Sequence, residues 1–282
     1  MIAVLGAGGQ LGSAFVRLLP DDAVAFTRTE LDLGRPDQID TWVSATQPEL
    51  IINCAAYTAV DAAEGEPEAA RLVNATAVGR LAESTAAHGG GLVTFSTDYV
   101  FDGTKPTGYV ESDLPNPLNV YGSTKLEGED LLIKANPNAL VIRTSWVLSG
   151  THRNFASTML DLISKGPVGV VDDQHGRPTL VDDLAAATMN AVSSRVSGVL
   201  HLANQGKTTW CGLAREVAEI GGLDPSLVTP ITTEDFPRPA RRPANSVLDS
   251  EKVGGLGLTP LPHYRAALED AVRHIAFRVG QP

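Results

Sequence analysis

The chain has 282 residues, of which 43% are hydrophobic and 20% are charged, and its formal net charge is −11. That length is enough for one large domain, or for one domain with a smaller appendage, and for a sizeable buried core. The acidic balance argues against a general affinity for nucleic acid or for an anionic membrane, although a local basic site for a phosphorylated ligand stays open.

Short apolar or β-branched runs alternate with longer helical patterns along the chain. The runs predict strands over Ile2–Leu5, Ala23–Phe26, Leu50–Asn53, Leu92–Phe95, Leu140–Arg143, Val168–Val171 and Val199–Leu202. The longer patterns predict helices over Leu11–Leu19, Pro36–Thr46, Glu68–Ala87, Val120–Lys134, Phe155–Ser164, Val181–Ser194, Thr209–Ile220 and Tyr264–Phe277. Because the early strands are apolar without alternation, we expect an α/β fold with a doubly wound parallel sheet.

The character of the sequence changes after about residue 145, where proline and glycine become frequent. Residues Thr229–Ser246 predict a long irregular loop, and such loops are usually functional or mobile. We therefore expect a dinucleotide-binding domain over residues 1–150. Residues 151–282 should form mainly a smaller substrate-binding part, with some segments returning to the sheet.

The two cysteines, Cys54 and Cys211, have no CxxC partner, which favours a reducing compartment over a metal site or a disulfide. The opening segment, MIAVLGAGG, has no basic n-region, and no apolar run reaches the length of a membrane span. We therefore expect a soluble, cytoplasmic protein.

A glycine loop, VLGAGGQLG, follows the first predicted strand and opens the first predicted helix. Gly6, Gly9 and Gly12 would give a tight turn and a close approach of the backbone to a pyrophosphate at the helix N-terminus. Gln10 and Leu11, between the last two glycines, are included in the predicted cofactor site. The GxxGxxG spacing resembles the extended short-chain dehydrogenase/reductases, whose nucleotide-binding domain is of the Rossmann type.

The end of the second strand selects between NAD and NADP in such folds, because an acid there binds the ribose 2′-hydroxyl. Here Arg28 is cationic and Thr27 offers a hydroxyl, so we expect NADPH, since a guanidinium suits a 2′-phosphate. Glu30 is near enough to keep NADH open as an alternative.

Two further segments, around Asp32 and around Ala55, lie at the positions where members of this superfamily contact adenine and the adjoining phosphates. The resemblance assigns Asp32 to the adenine amino group, and Ala55 and Ala56 to a close backbone approach. It extends the cofactor-binding set to Leu33 and Thr58. A helix cap at Asp32 and plain packing of the alanines are the structural alternatives.

Tyr121 and Lys125 form a YxxxK pair that lies on one face of the predicted helix. A phenol titrates near 10, and a nearby ammonium stabilises the phenolate and brings it closer to the working range of an acid. The same lysine can bind the ribose of the cofactor. A solvated helix face is the alternative, but the upstream glycine loop favours catalysis.

A hydroxyl is expected at the end of the fourth strand, directed at the reacting carbonyl. Ser96 and Thr97 both qualify by spacing, and because strand neighbours face opposite ways, one must point away.

Seven segments spread over almost the whole chain together resemble the dTDP-4-dehydrorhamnose reductase family. They are the glycine loop, NCAAYTAVDAAE, STDYVFDG, PLNVYGSTKLEGE, RTSWV, DDQHGRPT and RRPANSVLD. That family reduces the 4-keto group of dTDP-6-deoxy-L-lyxo-4-hexulose to dTDP-L-rhamnose with a nicotinamide cofactor, and a rhamnose-containing cell-surface polymer is the implied end use.

The resemblance implies roles for individual residues. Thr97 would hydrogen-bond the keto oxygen, which demotes Ser96, Tyr121 would protonate that oxygen, and Lys125 would support Tyr121. The predicted substrate contacts are Thr97, Asp98, Trp146, Arg242 and Asn245. A core aromatic at Trp146, a solvated charge at Arg242 and a turn cap at Asp98 are the alternatives, and His175 and Arg177 look structural.

The sequence differs from related proteins in two places, and these differences bear on the expected reaction and on the expected metal and oligomeric state. Sugar-nucleotide 4,6-dehydratases carry an acid where this chain has Tyr99, so reduction fits better than dehydration. Some members of the family form dimers around a divalent metal held by glutamates, and the corresponding positions here are Ala14, Asp182 and Arg265. We therefore expect no such metal and a monomer or weak dimer.

Two other functions stay open. One is a related reductase or epimerase of another nucleotide-sugar, because the sequence does not identify the base or the sugar. The other is a non-catalytic NADP-binding regulator, similar to the regulatory subunit of methionine adenosyltransferase. The retained Thr97, Tyr121 and Lys125 argue against the regulator.

Overall fold

Twelve strands are found in the computed structural model, which describes residues 1–21 and 23–279. They are β1 (Ile2–Leu5), β2 (Val24–Phe26), β3 (Leu50–Asn53), β4 (Gly91–Thr97), β5 (Leu140–Thr144), β6 (Val147–Leu148), β7 (Val168–Val171), β8 (His175–Gly176), β9 (Thr179–Leu180), β10 (Gly198–His201), β11 (Thr208–Thr209) and β12 (Val228–Ile231). Six of them form a sheet of order β10-β5-β4-β3-β1-β2 whose neighbours are all parallel. The doubly wound α/β sheet expected from the sequence is confirmed.

Helices cover both faces of this sheet and also form the core of the C-terminal half. They are α1 (Gln10–Leu18), α2 (Pro36–Thr46), α3 (Val60–Ala63), α4 (Pro67–Arg71), α5 (Ala77–His88), α6 (Val120–Ala135), α7 (Phe155–Ile163), α8 (Val181–Ser193), α9 (Trp210–Ile220), α10 (Lys252–Gly255) and α11 (Arg265–Val279). The single helix predicted over Glu68–Ala87 is interrupted, because a π-helical segment, Leu72–Thr76, separates α4 from α5.

Two apolar cores lie on opposite faces of the central sheet. On one face, Phe15 of α1 and Leu184 of α8 pack against Ile52 and Ile142 of the sheet. On the other, Ile39 of α2 joins side chains of α5 and the sheet. Burial on both faces explains why the early strands are continuously apolar.

A third core lies in the C-terminal half, where side chains of α7, α9 and α11 pack together. The predicted loop over Thr229–Ser246 is wrong at its start, because β12 pairs in parallel with β7 through residues 228–231. The expected return of a late segment to the main sheet is found at β10, which pairs with β5. Along residues 1–21 and 23–279, no helix combines the length and apolar character needed to cross a membrane.

Candidate active site

A cleft of about 1210 Å³ lies at the carboxyl ends of β1, β3 and β4. In a parallel sheet this edge, at the point where strand order reverses, is where ligands bind. The predicted site residues that line it are Gly6, Gly9, Gln10, Leu11, Arg28, Asp32, Leu33, Ala55, Ala56, Thr58, Thr97, Asp98, Tyr121, Lys125 and Trp146. Three predicted site residues do not line it, namely Gly12, Arg242 and Asn245.

The glycine loop forms one end of the cleft, between β1 and α1. Gly6 has a φ of +73°, and a Cβ there would lie 2.7 Å from the backbone nitrogen of Ala55. A Cβ on Gly12 would collide with the carbonyl oxygen of Gly6. Gly12 therefore serves the close packing of α1 on the loop rather than the cleft wall. The loop leaves room at the α1 N-terminus, so these residues fit the diphosphate of a dinucleotide.

Arg28 and Asp32 mark the end of the cleft near β2. The Arg28 side chain is 85% exposed, and its Nε lies 3.5 Å from Oδ1 of Asp32. An exposed pair of this kind contributes little stability, so Arg28 can turn to an anionic ligand. Glu30 is used otherwise, because its carboxylate accepts hydrogen bonds from the backbone and hydroxyl of Thr27, which also lower its pKa.

The end of β4 carries the hydroxyl expected from the sequence. The Thr97 hydroxyl donates to Oδ1 of Asp98 at 3.1 Å and accepts from the backbone N–H of Tyr99. Ser96 also lines the cleft, but its buried hydroxyl has no hydrogen-bonding partner among the described residues. Both Ser96 and Thr97 line the cleft, so position alone does not distinguish them. They differ in their hydrogen bonds, because only the Thr97 hydroxyl has partners in the part of the chain that the structure describes.

Asp98 is buried beside Thr97, with 3% of its surface exposed. Burial raises the pKa of its carboxyl to about 7, against hydrogen bonds from Ser246 and Thr97 that lower it. Within the described residues its Oδ2 atom has no partner. An acid of this kind is partly protonated at neutral pH, and its buried Oδ2 atom can still accept a hydrogen bond.

Tyr121 and Lys125 lie in the first turns of α6, as predicted. The helix begins after Asn119, whose side chain accepts from the N–H of Gly122 at 2.7 Å and donates to the carbonyl of Arg241. A Cβ on Gly122 would collide with the carbonyl oxygen of Tyr99, so only glycine lets α6 approach the segment after β4 so closely. This approach brings Tyr121 next to Thr97.

Burial shifts the pKa of both residues of this pair. Burial raises the pKa of Tyr121 to about 12, and a hydrogen bond between Tyr121 and Thr97 opposes that rise. Burial also lowers the pKa of Lys125 to about 8. Burial dominates the pKa of Tyr121 in this state, and the expected effect of the Lys125 ammonium on the phenol stays a prediction. Tyr121 therefore holds its proton at neutral pH.

A buried ion pair joins α6 to β5 of the central sheet. The Arg143 guanidinium of β5 donates to both carboxylate oxygens of Glu129, one turn beyond Lys125, at 2.7 to 3.1 Å. Both side chains are at most 5% exposed. The negative charge of Glu129 also favours the charged form of Lys125.

Trp146 forms part of the cleft wall in an unusual backbone conformation, with a φ of +46°. Its ring stacks on Trp210 at 3.5 Å between centroids, with the planes 8° apart. The Trp146 ring also lies so close to Gly176 that a Cβ on Gly176 would collide with it. Left-handed backbone at a bulky residue costs free energy and is common at ligand sites.

Arg242 and Asn245 are held by other groups in the loop after β12. Arg242 donates to the carboxylate of Asp61, which also binds Arg238, and Asn245 donates to the carbonyls of Lys105 and Thr107. Their predicted contacts with substrate stay predictions. Arg177 pairs with Asp249, in keeping with a structural role.

The structure also brings to the site residues that the sequence pattern did not single out. Asn74, in the π-helical segment, pairs with both backbone groups of Tyr57 and donates to the Thr124 hydroxyl of α6. His152 and Arg153 line the cleft beside the glycine loop. No local pattern marks these residues, because their partners are distant in sequence.

The three residues at the positions of the metal-binding glutamates in some family members are Ala14, Asp182 and Arg265. In this structure they make other contacts. Asp182 binds Arg17 at 2.7 Å, Arg265 binds Glu216 at 2.6 Å, and Ala14 is buried. In the described part of the chain no group of three or more His, Cys, Asp or Glu residues is arranged to hold a metal ion. The oligomeric state stays a prediction.

Comparisons with known proteins bear on the same residues. A family model described as the RmlD substrate binding domain matches residues 1–277. A "probable dTDP-4,6-dihydroxy-2-methyloxan-3-one 4-ketoreductase" from Streptomyces antibioticus is 42% identical over 275 residues, covering 95% of this chain and 93% of that protein. A dTDP-4-dehydrorhamnose reductase from Burkholderia thailandensis is 40% identical over 293 residues, covering 97% of this chain and 98% of that one.

A solved structure provides the matching comparison of folds. The dTDP-4-dehydrorhamnose reductase of Bacillus anthracis, solved in complex with NADP, superposes with a TM-score of 0.91. It is 32% identical and covers 98% of each chain. The likeness therefore spans the sheet and the C-terminal half together.

Proposed function

The chain belongs to the dTDP-4-dehydrorhamnose reductase family, and from that premise we propose that it reduces the 4-keto group of dTDP-4-dehydro-L-rhamnose to dTDP-L-rhamnose with NADPH. The observation that carries the proposal is the meeting of Thr97, Tyr121 and Lys125 in the same cleft as the glycine loop. A hydroxyl, a protonated phenol and a buried cation beside a dinucleotide site suit carbonyl reduction.

NADPH, when bound, supplies the hydride that reduces the carbonyl carbon. Tyr121 donates its proton to the keto oxygen, which its raised pKa allows because the phenol is protonated at neutral pH. The Thr97 hydroxyl, which donates to Asp98 in the structure, would turn to donate a hydrogen bond to the same oxygen. Lys125 is buried and cationic near neutral pH, and it stabilises the phenolate that Tyr121 leaves behind.

The remaining residues orient the ligands. We propose that Asp98 and Trp146 contact the sugar, and that residues 151–282 supply mainly the substrate side of the cleft while residues 1–150 supply most of the cofactor site. Arg28 would bind the 2′-phosphate of NADPH. The preference for NADPH over NADH is supported by Glu30, whose carboxylate is taken by Thr27 and does not line the cleft.

A second candidate is reduction of a different dTDP-linked 4-keto sugar. It is favoured by the 42% identity to the Streptomyces antibioticus ketoreductase, which is as similar to this chain as the dTDP-4-dehydrorhamnose reductases are. Both reactions use the same proton donor and cofactor, so only the sugar contacts separate them.

The proposal is tested by following NADPH oxidation at its absorbance with each dTDP-4-keto sugar made in situ. We expect the higher kcat/KM with dTDP-4-dehydrorhamnose, and a higher value with the other sugar would favour the second candidate. Tyr121→Phe should lower kcat by about 10²-fold to 10⁴-fold, the usual contribution of a general acid, while NADPH binding is kept. Unchanged turnover would show that Tyr121 is not the proton donor.

A further inference from the structure

The loop between β6 and α7, residues 149–154, is fixed at both ends to the first residue of α1. The Ser149 hydroxyl and the Asn154 side-chain amide each donate to Oε1 of Gln10 at 3.0 Å. Asn154 also caps α7 through a capping box with Ser157. The four residues between these anchors therefore form an arch beside the glycine loop.

Arg153 is the cation of this arch. It lines the cleft, its side chain is exposed, and it makes no ion pair with any described acidic residue. By contrast, Arg28 pairs with Asp32 and Arg17 with Asp182. In a chain with a net charge of −11, an unpaired guanidinium at the cleft wall suits an anionic ligand.

The N-terminus of α1 faces the same part of the cleft. Its N-cap is Gly9, which has no side chain to cap the first backbone N–H groups. Those groups and the positive end of the helix dipole favour an anion. Arg28 and Lys125 line other parts of the cleft, whereas Arg153 lies on the arch whose neighbouring residue, Asn154, is hydrogen-bonded to Gln10 at this helix end.

We propose that Arg153 binds the diphosphate of the dinucleotide from the arch, so that the diphosphate is held between the α1 N-terminus and a guanidinium. The inference rests on the proposed use of a nicotinamide dinucleotide. It assigns Arg28 and Arg153 to different phosphates, because only NADPH has the 2′-phosphate, whereas NADPH and NADH share the diphosphate.

Direct binding tests this assignment without any sugar substrate. NADPH and NADH are titrated into the full-length protein and followed by cofactor fluorescence, for the wild type, Arg153→Gln and Arg153→Lys. We expect Arg153→Gln to weaken both cofactors by about tenfold and by the same factor, since a charge-assisted contact is lost. Arg153→Lys should recover part of the loss. Arg17→Gln, which removes the same charge from the far end of α1, should leave both affinities unchanged.

Each outcome decides between assignments. Affinities of Arg153→Gln within twofold of the wild type for both cofactors would overturn the proposal, and so would a loss confined to NADPH. Those results would leave the proposed function standing, because the wild type would still bind NADPH. A wild type that binds neither cofactor would overturn both.

Discussion

Replacing Asp98 with Asn should remove a pH-dependent loss of stability that the buried carboxyl imposes on the folded protein. The folded-state pKa of Asp98 is raised from 3.8 to about 7, chiefly by burial. A carboxyl with a raised pKa binds its proton more tightly when folded. Its contribution to stability is therefore complete below pH 3.8 and is lost as the pH rises through 7.

The size of the effect follows from the shift. A rise of roughly three pKa units corresponds to about 4 kcal/mol of unfolding free energy at about 1.4 kcal/mol per unit. About half of that, or about 2 kcal/mol, should be lost between about pH 5.5 and pH 8. Because Asp98 is 3% exposed, solvent screening does little to reduce it.

Urea unfolding at several pH values in this range measures the effect. The wild type should lose about 2 kcal/mol more than Asp98→Asn, whose amide does not titrate. Asp102→Asn is a matched control, because hydrogen bonds lower the pKa of Asp102 and place its titration below this range. A wild type and Asp98→Asn with the same pH dependence would refute the burial argument.

Three further substitutions test other parts of the account. Gly12→Ala should cost about 1–3 kcal/mol and weaken NADPH binding, because its Cβ collides with the Gly6 carbonyl, and an unchanged melting temperature would contradict this. Arg28→Ala should weaken NADPH about tenfold and NADH less than twofold in fluorescence titrations, whereas equal losses would remove the basis for preferring NADPH. Glu129→Gln should cost about 3 kcal/mol in urea unfolding by leaving Arg143 buried without its partner, and a loss below about 1 kcal/mol would show that the pair is not needed.

The elements that carry local signals could be predicted from the sequence. The glycine loop and the YxxxK pair depend on short spacings, and both lie in the cleft where they were expected. The central strands are marked by continuous apolar runs, because helices cover both faces of the sheet. The two-residue strands β6, β8, β9 and β11 were missed, since so few residues give no periodic pattern.

Features that depend on long-range packing could not be predicted in the same way. Gln10 accepts hydrogen bonds from Ser149 and Asn154, which lie 139 and 144 residues away in the sequence, and no local pattern predicts these contacts. The π-helical segment at Asn74 has the same origin, because its partners are in a loop and in α6. The high pKa of Tyr121 required its burial to be known, which the YxxxK spacing does not give.

Transfer of a labelled hydride shows whether the protein reduces the 4-keto group of the sugar with NADPH. The wild-type protein is supplied with dTDP-4-dehydro-L-rhamnose and with NADPH in which both hydrogens at C4 of the nicotinamide are replaced by deuterium, and the product is examined by NMR. The proposed reaction should place one deuterium at C4 of the sugar in dTDP-L-rhamnose for each NADPH oxidised. A product without deuterium at C4, or no oxidation of NADPH, would contradict it.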